Sequence, residues 1–207
     1  MSLVQFILLL LTLLIFYLFF TEIFQEKEEE ESIKTLQKDL NSKLHQIKEK
    51  AKLIISLDSF LEKKDYKKAK ERLFFTKLKD YLKTDYQLLR RAGMIFLELG
   101  EYERAEEYLR KALKINPNDD LSHNLLANTL HKLGKSDDAI KHHQAAIALD
   151  KNYSPFYFNY ANTLYEIGDY KNAQALYEKA YRFDNSLKVA KEMMHKIDKI
   201  LQEKQEK

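Results

Sequence analysis

Apolar and polar residues follow three different rhythms along this chain. Residues 3–20 form an almost unbroken apolar run, interrupted only by the uncharged Gln5 and Thr12. Such a run predicts a helix without a polar face. At about 1.5 Å rise per residue its length matches a bilayer core of roughly 30 Å. Tyr17, Phe19, Phe20 and Phe24 crowd its C-terminal end, where an aromatic belt would sit. Residues 1–24 are therefore expected to be a transmembrane anchor. A cleavable leader needs basic residues ahead of its apolar core and small residues behind it, and neither is present. No Lys or Arg precedes the run, whereas Lys27, Lys34 and Lys38 follow it, which predicts a single-pass protein whose C-terminal domain faces the cytoplasm.

The second rhythm is helical and sparse. Ile33, Leu36, Leu40, Leu44 and Ile47 place an apolar stripe on an otherwise charged stretch, so residues 25–49 are expected to form a juxtamembrane helical stalk. That stripe either packs on the domain that follows or pairs with another copy of the chain. In the second case the protein would be a self-oligomerising structural membrane protein.

The third rhythm is a long repeat. Gly100, Gly134 and Gly168 stand 34 residues apart, and so do Ala105, Ala139 and Ala173, and Ala112, Ala146 and Ala180. Leu99, Leu133 and Ile167 keep the same spacing, as does the small trio Gly93, Ala127 and Ala161. A 34-residue period with small residues at fixed places predicts stacked helix–turn–helix units, each unable to bury its apolar face alone. The three glycines fit the left-handed position that ends a helix. Ser154 followed by Pro155 reads as a capping hydroxyl and a first-turn proline. These units occupy residues 86–119, 120–153 and 154–187. Upstream, Asp65, Tyr66 and Ala69 repeat the inter-helix turn with Lys64 in the glycine position, so residues 50–85 read as a degenerate fourth helix pair. Downstream, Leu187, Ala190, Met193, Met194, Ile197 and Leu201 keep a helical period, so residues 188–207 read as a capping helix and charged tail.

Composition narrows the chemistry. The 207-residue chain carries a formal charge of +3, without the clustered base that nucleic acid requires. It has four glycines, two prolines and no cysteine. All four glycines belong to the repeat, which leaves none for a phosphate-cradling loop. The lack of cysteine removes disulfides, thiolate metal sites and a cysteine nucleophile. His123, His131, His142 and His143 cluster in the middle unit, but His123 and His143 align with packing positions of the neighbouring units, and no ligand spacing is present. No catalytic residue, cofactor or metal is expected, and the chain is not expected to be an enzyme.

The 34-residue pattern closely resembles the tetratricopeptide-repeat (TPR) family over about half the chain. Pro117 occupies the family's terminal proline position, which Lys151 and Asn185 take in the later units. Tyr102 and Tyr170 keep the tyrosine after the glycine, and Ser136 replaces it in the middle unit. The resemblance implies an all-α solenoid whose first helices line a concave peptide-binding groove. The implied groove residues are Arg90, Met94 and Leu97, then Asn124, Asn128 and His131, then Phe158, Asn162 and Tyr165. Their spacing within each set places them on one helical face. Asn128 and Asn162 can each donate and accept to a ligand backbone, and Phe158 and Tyr165 would add an aromatic wall. The carboxylate clamp of TPR co-chaperones is largely missing: Met94 and Leu125 replace its asparagines, and Pro155 and Asn159 its basic residues. The expected function is a membrane-anchored scaffold or adaptor that binds a protein or peptide partner, in assembly of a membrane or envelope complex.

Overall fold

The computed structural model describes residues 3–74 and 81–205, without the side chains of residues 3–10, 81 and 205. Residues 75–80, inside the expected upstream pair 50–85, and the last two residues of the expected tail lie outside the described residues. Among the described residues the regular structure is all helical, as α1 (Leu3–Glu62), α2 (Tyr66–Phe74), α3 (Tyr81–Thr84), α4 (Tyr86–Glu98), α5 (Tyr102–Ile115), α6 (Asp120–Lys132), α7 (Ser136–Leu149), α8 (Ser154–Glu166), α9 (Tyr170–Phe183) and α10 (Lys188–Gln205). The chain divides into two compact units, residues 1–52 and 53–207.

In the first unit, the structure corrects the expectation of a membrane-crossing helix with the remaining chain in the cytoplasm. Among the described residues, no helix is long and apolar enough to cross a membrane. Of the run that carried the expectation, only residues 11–20 have described side chains ahead of Thr21 and Glu22. The side chains of residues 1–10 lie outside the described residues.

The second unit is a stack of helical hairpins, α4 with α5, α6 with α7 and α8 with α9, each leaning on the next. Every hairpin turns the same way. Gly100 N–H bonds to the Leu97 carbonyl at 3.0 Å and Glu101 N–H to the Phe96 carbonyl at 2.9 Å, and the same pair of bonds recurs at Gly134 and Gly168. These are Schellman turns, which need one residue with positive φ, and the three glycines sit at φ 75°, 75° and 86°. The end of α1 closes identically: Lys64 N–H meets the Leu61 carbonyl at 3.0 Å and Asp65 N–H the Phe60 carbonyl at 2.8 Å, with Lys64 at φ 55°. That turn is therefore a hairpin turn built without glycine.

Small residues bring the helices of a hairpin together. A Cβ on Gly93 would collide with Leu109, its Cδ2 being 2.7 Å away. Ala105, Ala112, Ala139, Ala146, Ala173 and Ala180 are fully buried. Phe96, Leu109, Leu126, Leu130, Phe156 and Tyr177 fill the space around them. Burying each such large apolar side chain contributes about 1.5–3 kcal/mol. Ala190 and Ile197 of α10 are buried against the last hairpin, flanked by Met193, Met194 and Leu201.

Side-chain caps start α4 and α6. Asp85 accepts from Gln87 N–H (2.9 Å) and Leu88 N–H (3.1 Å), and Asp119 from Ser122 N–H (3.2 Å). Ser154 departs from the capping role its sequence suggests: it lies inside α8, and its hydroxyl donates to the Ala180 carbonyl at 2.8 Å, tying α8 to α9.

Candidate cleft between the first helices of the repeats

The first helices α4, α6 and α8 lie side by side, and their C-terminal halves enclose a cleft of about 330 Å³. Four of the residues expected to face a groove line it: Leu97, Asn128, His131 and Asn162. They share the space with Glu98, Tyr102, Lys132, Asn159, Thr163 and Glu166. Three of these additional groups, Glu98, Lys132 and Glu166, are themselves 34 residues apart. That recurrence, one position beyond the groove set, is the signal that sequence reasoning passed over.

The remaining expected residues are not among those that line this cleft. Arg90 reaches from α4 to the capping carboxylate of α6, its Nη1 lying 2.5 Å from Asp119 Oδ1 with both side chains largely buried. Asn124 is buried and its Oδ1 accepts from Asn159 Nδ2 at 3.3 Å, linking α6 to α8. Met94 is half-buried outside the cleft lining. Phe158 packs edge-on to Tyr177 at 5.6 Å, and Tyr165 edge-on to Tyr170 at 5.5 Å. Lys196 of α10 sits 5.2 Å over the Tyr165 ring. Both aromatic groups thus serve the α8–α9–α10 packing.

Asn128 and Asn162 differ in what they have left to offer. Tyr177 donates its hydroxyl to Asn162 Oδ1 at 2.6 Å, so only the amide N–H groups of Asn162 remain unpaired among the described residues. Burial raises the Tyr177 phenol well above its ordinary pKa, so it stays a donor. Asn128 is half-buried and has no hydrogen bond among the described residues. An amide so placed offers two donors and an acceptor to whatever enters the cleft.

Charge at the cleft rim is organised by Glu166. Its Oε2 accepts from His131 Nε2 at 2.7 Å and lies 3.3 Å from Lys132 Nζ. The hydrogen bond from His131, with Lys132 beside it, holds the Glu166 carboxyl below the usual carboxylate range. With Nε2 donating, His131 Nδ1 is left to accept from the Ser136 hydroxyl at 3.5 Å.

The other histidines form two separate arrangements. His123 Nδ1 and His142 Nδ1 lie 2.9 Å apart, and His123 Nε2 donates to the Pro117 carbonyl at 3.0 Å. That bond fixes His142 as the donor of the pair. Burial, with His123 and Arg110 nearby, pushes His142 down to about 4. His143 is fully buried, with Nε2 2.9 Å from Thr163 Oγ1, its ring stacked on Tyr160, and Nδ1 without a partner. Burial pushes it down to about 3. Among the described residues, no three His, Cys, Asp or Glu side chains converge to hold a metal ion.

Known proteins agree with this architecture. Residues 86–119 and 120–186 match family models described as Tetratricopeptide repeat. Over 81 residues, 39% of the chain, it is 33% identical to the peroxisomal targeting signal receptor of Candida glabrata, of which the match covers 14%. Over 104 residues, 50% of the chain, it is 31% identical to BBSome complex member BBS4 of Bos taurus, of which the match covers 20%. The chain thus spans only a minor part of the length of the curated relatives it matches. Among solved structures, the first TPR of Spaghetti (RPAP3) bound to the HSP90 peptide SRMEEVD superposes with a TM-score of 0.53 at 20% identity, covering 57% of this chain and 97% of that one. That likeness bears on the fold alone. With its 34-residue hairpins, its recurring Schellman turns and these matches, the segment 86–186 consists of tetratricopeptide repeats arranged as an all-α solenoid.

Proposed function

We propose that the chain is a non-catalytic adaptor whose cleft between α4, α6 and α8 receives an extended segment of a partner protein. The observation that carries this reading is Asn128: a half-buried amide facing a cleft of about 330 Å³ with no hydrogen bond of its own. That amide is open to solvent in the cleft, and an extended backbone presents donors and acceptors that fit it. Asn162 adds N–H donors across the same cleft. The names of the relatives support the reading, since one is a receptor for a targeting signal and the other a member of a multi-protein complex.

The ligand is not an acidic tail of the SRMEEVD kind. Glu98 and Glu166 line the cleft, Arg90 is committed to Asp119, and Lys132 and His131 already face Glu166. A polar or basic extended segment suits these surroundings better.

The test is a display library of unstructured peptides selected on the full chain. Asn128→Ala should weaken binding of the selected peptides about tenfold or more, the loss of one or two hydrogen bonds to a partly buried group, while the unfolding midpoint stays put. Peptides that bind wild type and Asn128→Ala equally would overturn the proposal.

A further inference from the structure

The first unit carries a regularity of its own. The five apolar residues of its stripe are distributed symmetrically about Leu40: Leu36 and Leu44 four residues to either side, Ile33 and Ile47 seven to either side. The residue types are mirrored too, Ile-Leu-Leu-Leu-Ile. All five lie within α1 and are 46–68% exposed. An uncovered stripe of this kind on a solvated helix marks an interaction surface.

Charge is mirrored with opposite sign. Residues 26–36 hold five glutamates and two lysines, a net −3, whereas residues 38–52 hold five lysines and two acidic residues, a net +3. A sequence symmetric in its apolar positions and antisymmetric in its charges is complementary to itself when reversed. Two such helices side by side in opposite directions place Leu40 against Leu40, Leu36 against Leu44 and Ile33 against Ile47. At about 100° per residue, Glu30 and Lys48 fall on one edge of the stripe and Glu28 and Lys50 on the other, so each acidic end meets a basic one on both edges. Side by side in the same direction and in register, the residues 28–31 of both copies would instead face one another, four glutamates against four. The pairs seen within the segment, Lys34–Glu30, Lys43–Asp39 and Lys52–Glu49, are exposed and separated by three or four residues. Such pairs contribute little and exchange partners readily.

We infer that residues 26–52 of α1 are a two-fold, antiparallel self-association surface centred on Leu40, its occupant being the same segment of a second copy of this chain. An interface of this kind is isologous and closes at two copies.

The chain contains no cysteine, which makes orientation directly measurable. Full-length Ile33→Cys and Ile47→Cys variants are mixed and mildly oxidised. The mixed disulfide between positions 33 and 47 should form, while neither variant alone crosslinks. Disulfide formation by each variant alone would mean in-register parallel pairing and would overturn the proposal, as would no crosslink at all. In sedimentation, the full chain should be dimeric and Leu40→Asp monomeric with unchanged helicity. A monomeric wild type, or an oligomer indifferent to Leu40→Asp, would equally overturn it. Glu28→Lys with Glu30→Lys should also abolish the dimer, and adding Lys48→Glu with Lys50→Glu should restore it. Failure of that rescue would sink the proposed register.

Discussion

Asn159 donates to Asn124 across 3.3 Å, one asparagine of α8 consuming the hydrogen-bonding capacity of another on α6. Four residues along α6, Asn128 makes no such bond. Two asparagines on one helical face therefore hold different posts, one joining repeats and the other open to the cleft. Asn124→Ala should lower stability by about 1 kcal/mol, the usual cost of a lost internal hydrogen bond with a partner left behind. Asn128→Ala should change stability by less than about 0.5 kcal/mol. Urea unfolding of the two variants separates them, and equal losses would contradict the division of roles.

The left-handed Lys64 turn stores strain that its three glycine counterparts avoid. A non-glycine residue there costs about 1–2 kcal/mol, offset in part by the extra freedom glycine gives the unfolded chain. Lys64→Gly should therefore stabilise the second unit by about 0.5–1 kcal/mol. Thermal unfolding is the direct check, and a lowered midpoint would show that the Lys64 side chain contributes more than its backbone costs.

Gly93 presents the opposite case, where space rather than φ is limiting. Its neighbours leave no room for a methyl group beside Leu109. Gly93→Ala should destabilise by about 1–3 kcal/mol through overpacking; Leu109→Ala is costly by itself, but the double variant should lose less than the sum of the two. Non-additivity in this double-mutant cycle is the expected signature.

Acid should weaken the solenoid before any carboxylate is lost. His142 and His143 are held neutral by burial, at about 4 and about 3 against an ordinary 6.5. The unfolded chain binds protons at these sites first, so stability falls as pH drops below 6.5 and continues falling toward the folded-state values. Denaturant midpoints measured from pH 7.5 to 4.5 should decline over that window. His143→Leu paired with Thr163→Val, which removes the buried imidazole and its hydroxyl partner together, should flatten the decline. An unchanged slope would place the sensitivity at another group.

The repeat architecture was legible because it depends on few residues with strict demands. A glycine every 34 positions marks a turn with positive φ, and alanines at fixed offsets mark close helix crossings. The cleft was only partly legible. Spacing of four and seven residues defines a face of a helix, but a face borders both the cleft and the helix's own hairpin partner. Phe158 and Tyr165 lie on that border and turn toward Tyr177 and Tyr170, where ring–ring contacts are available. Arg90 was drawn away by a carboxylate whose capping position follows from the start of α6. The membrane-crossing expectation rested on the length of the apolar run, its aromatic border and its flanking charges, and among the described residues no helix is long and apolar enough to meet it.

The last helix has a bearing on how long this stack can be. Each hairpin offers the next an apolar flank, and growth by one more hairpin would be favourable wherever that flank stayed open. By laying Ala190 and Ile197 on the flank of α9 and turning charged residues outward, α10 acts as a full stop. A chain cut after Phe183 would present a template edge, and its fate would be polymerisation or capture of a foreign helix rather than simple loss of a few kilocalories.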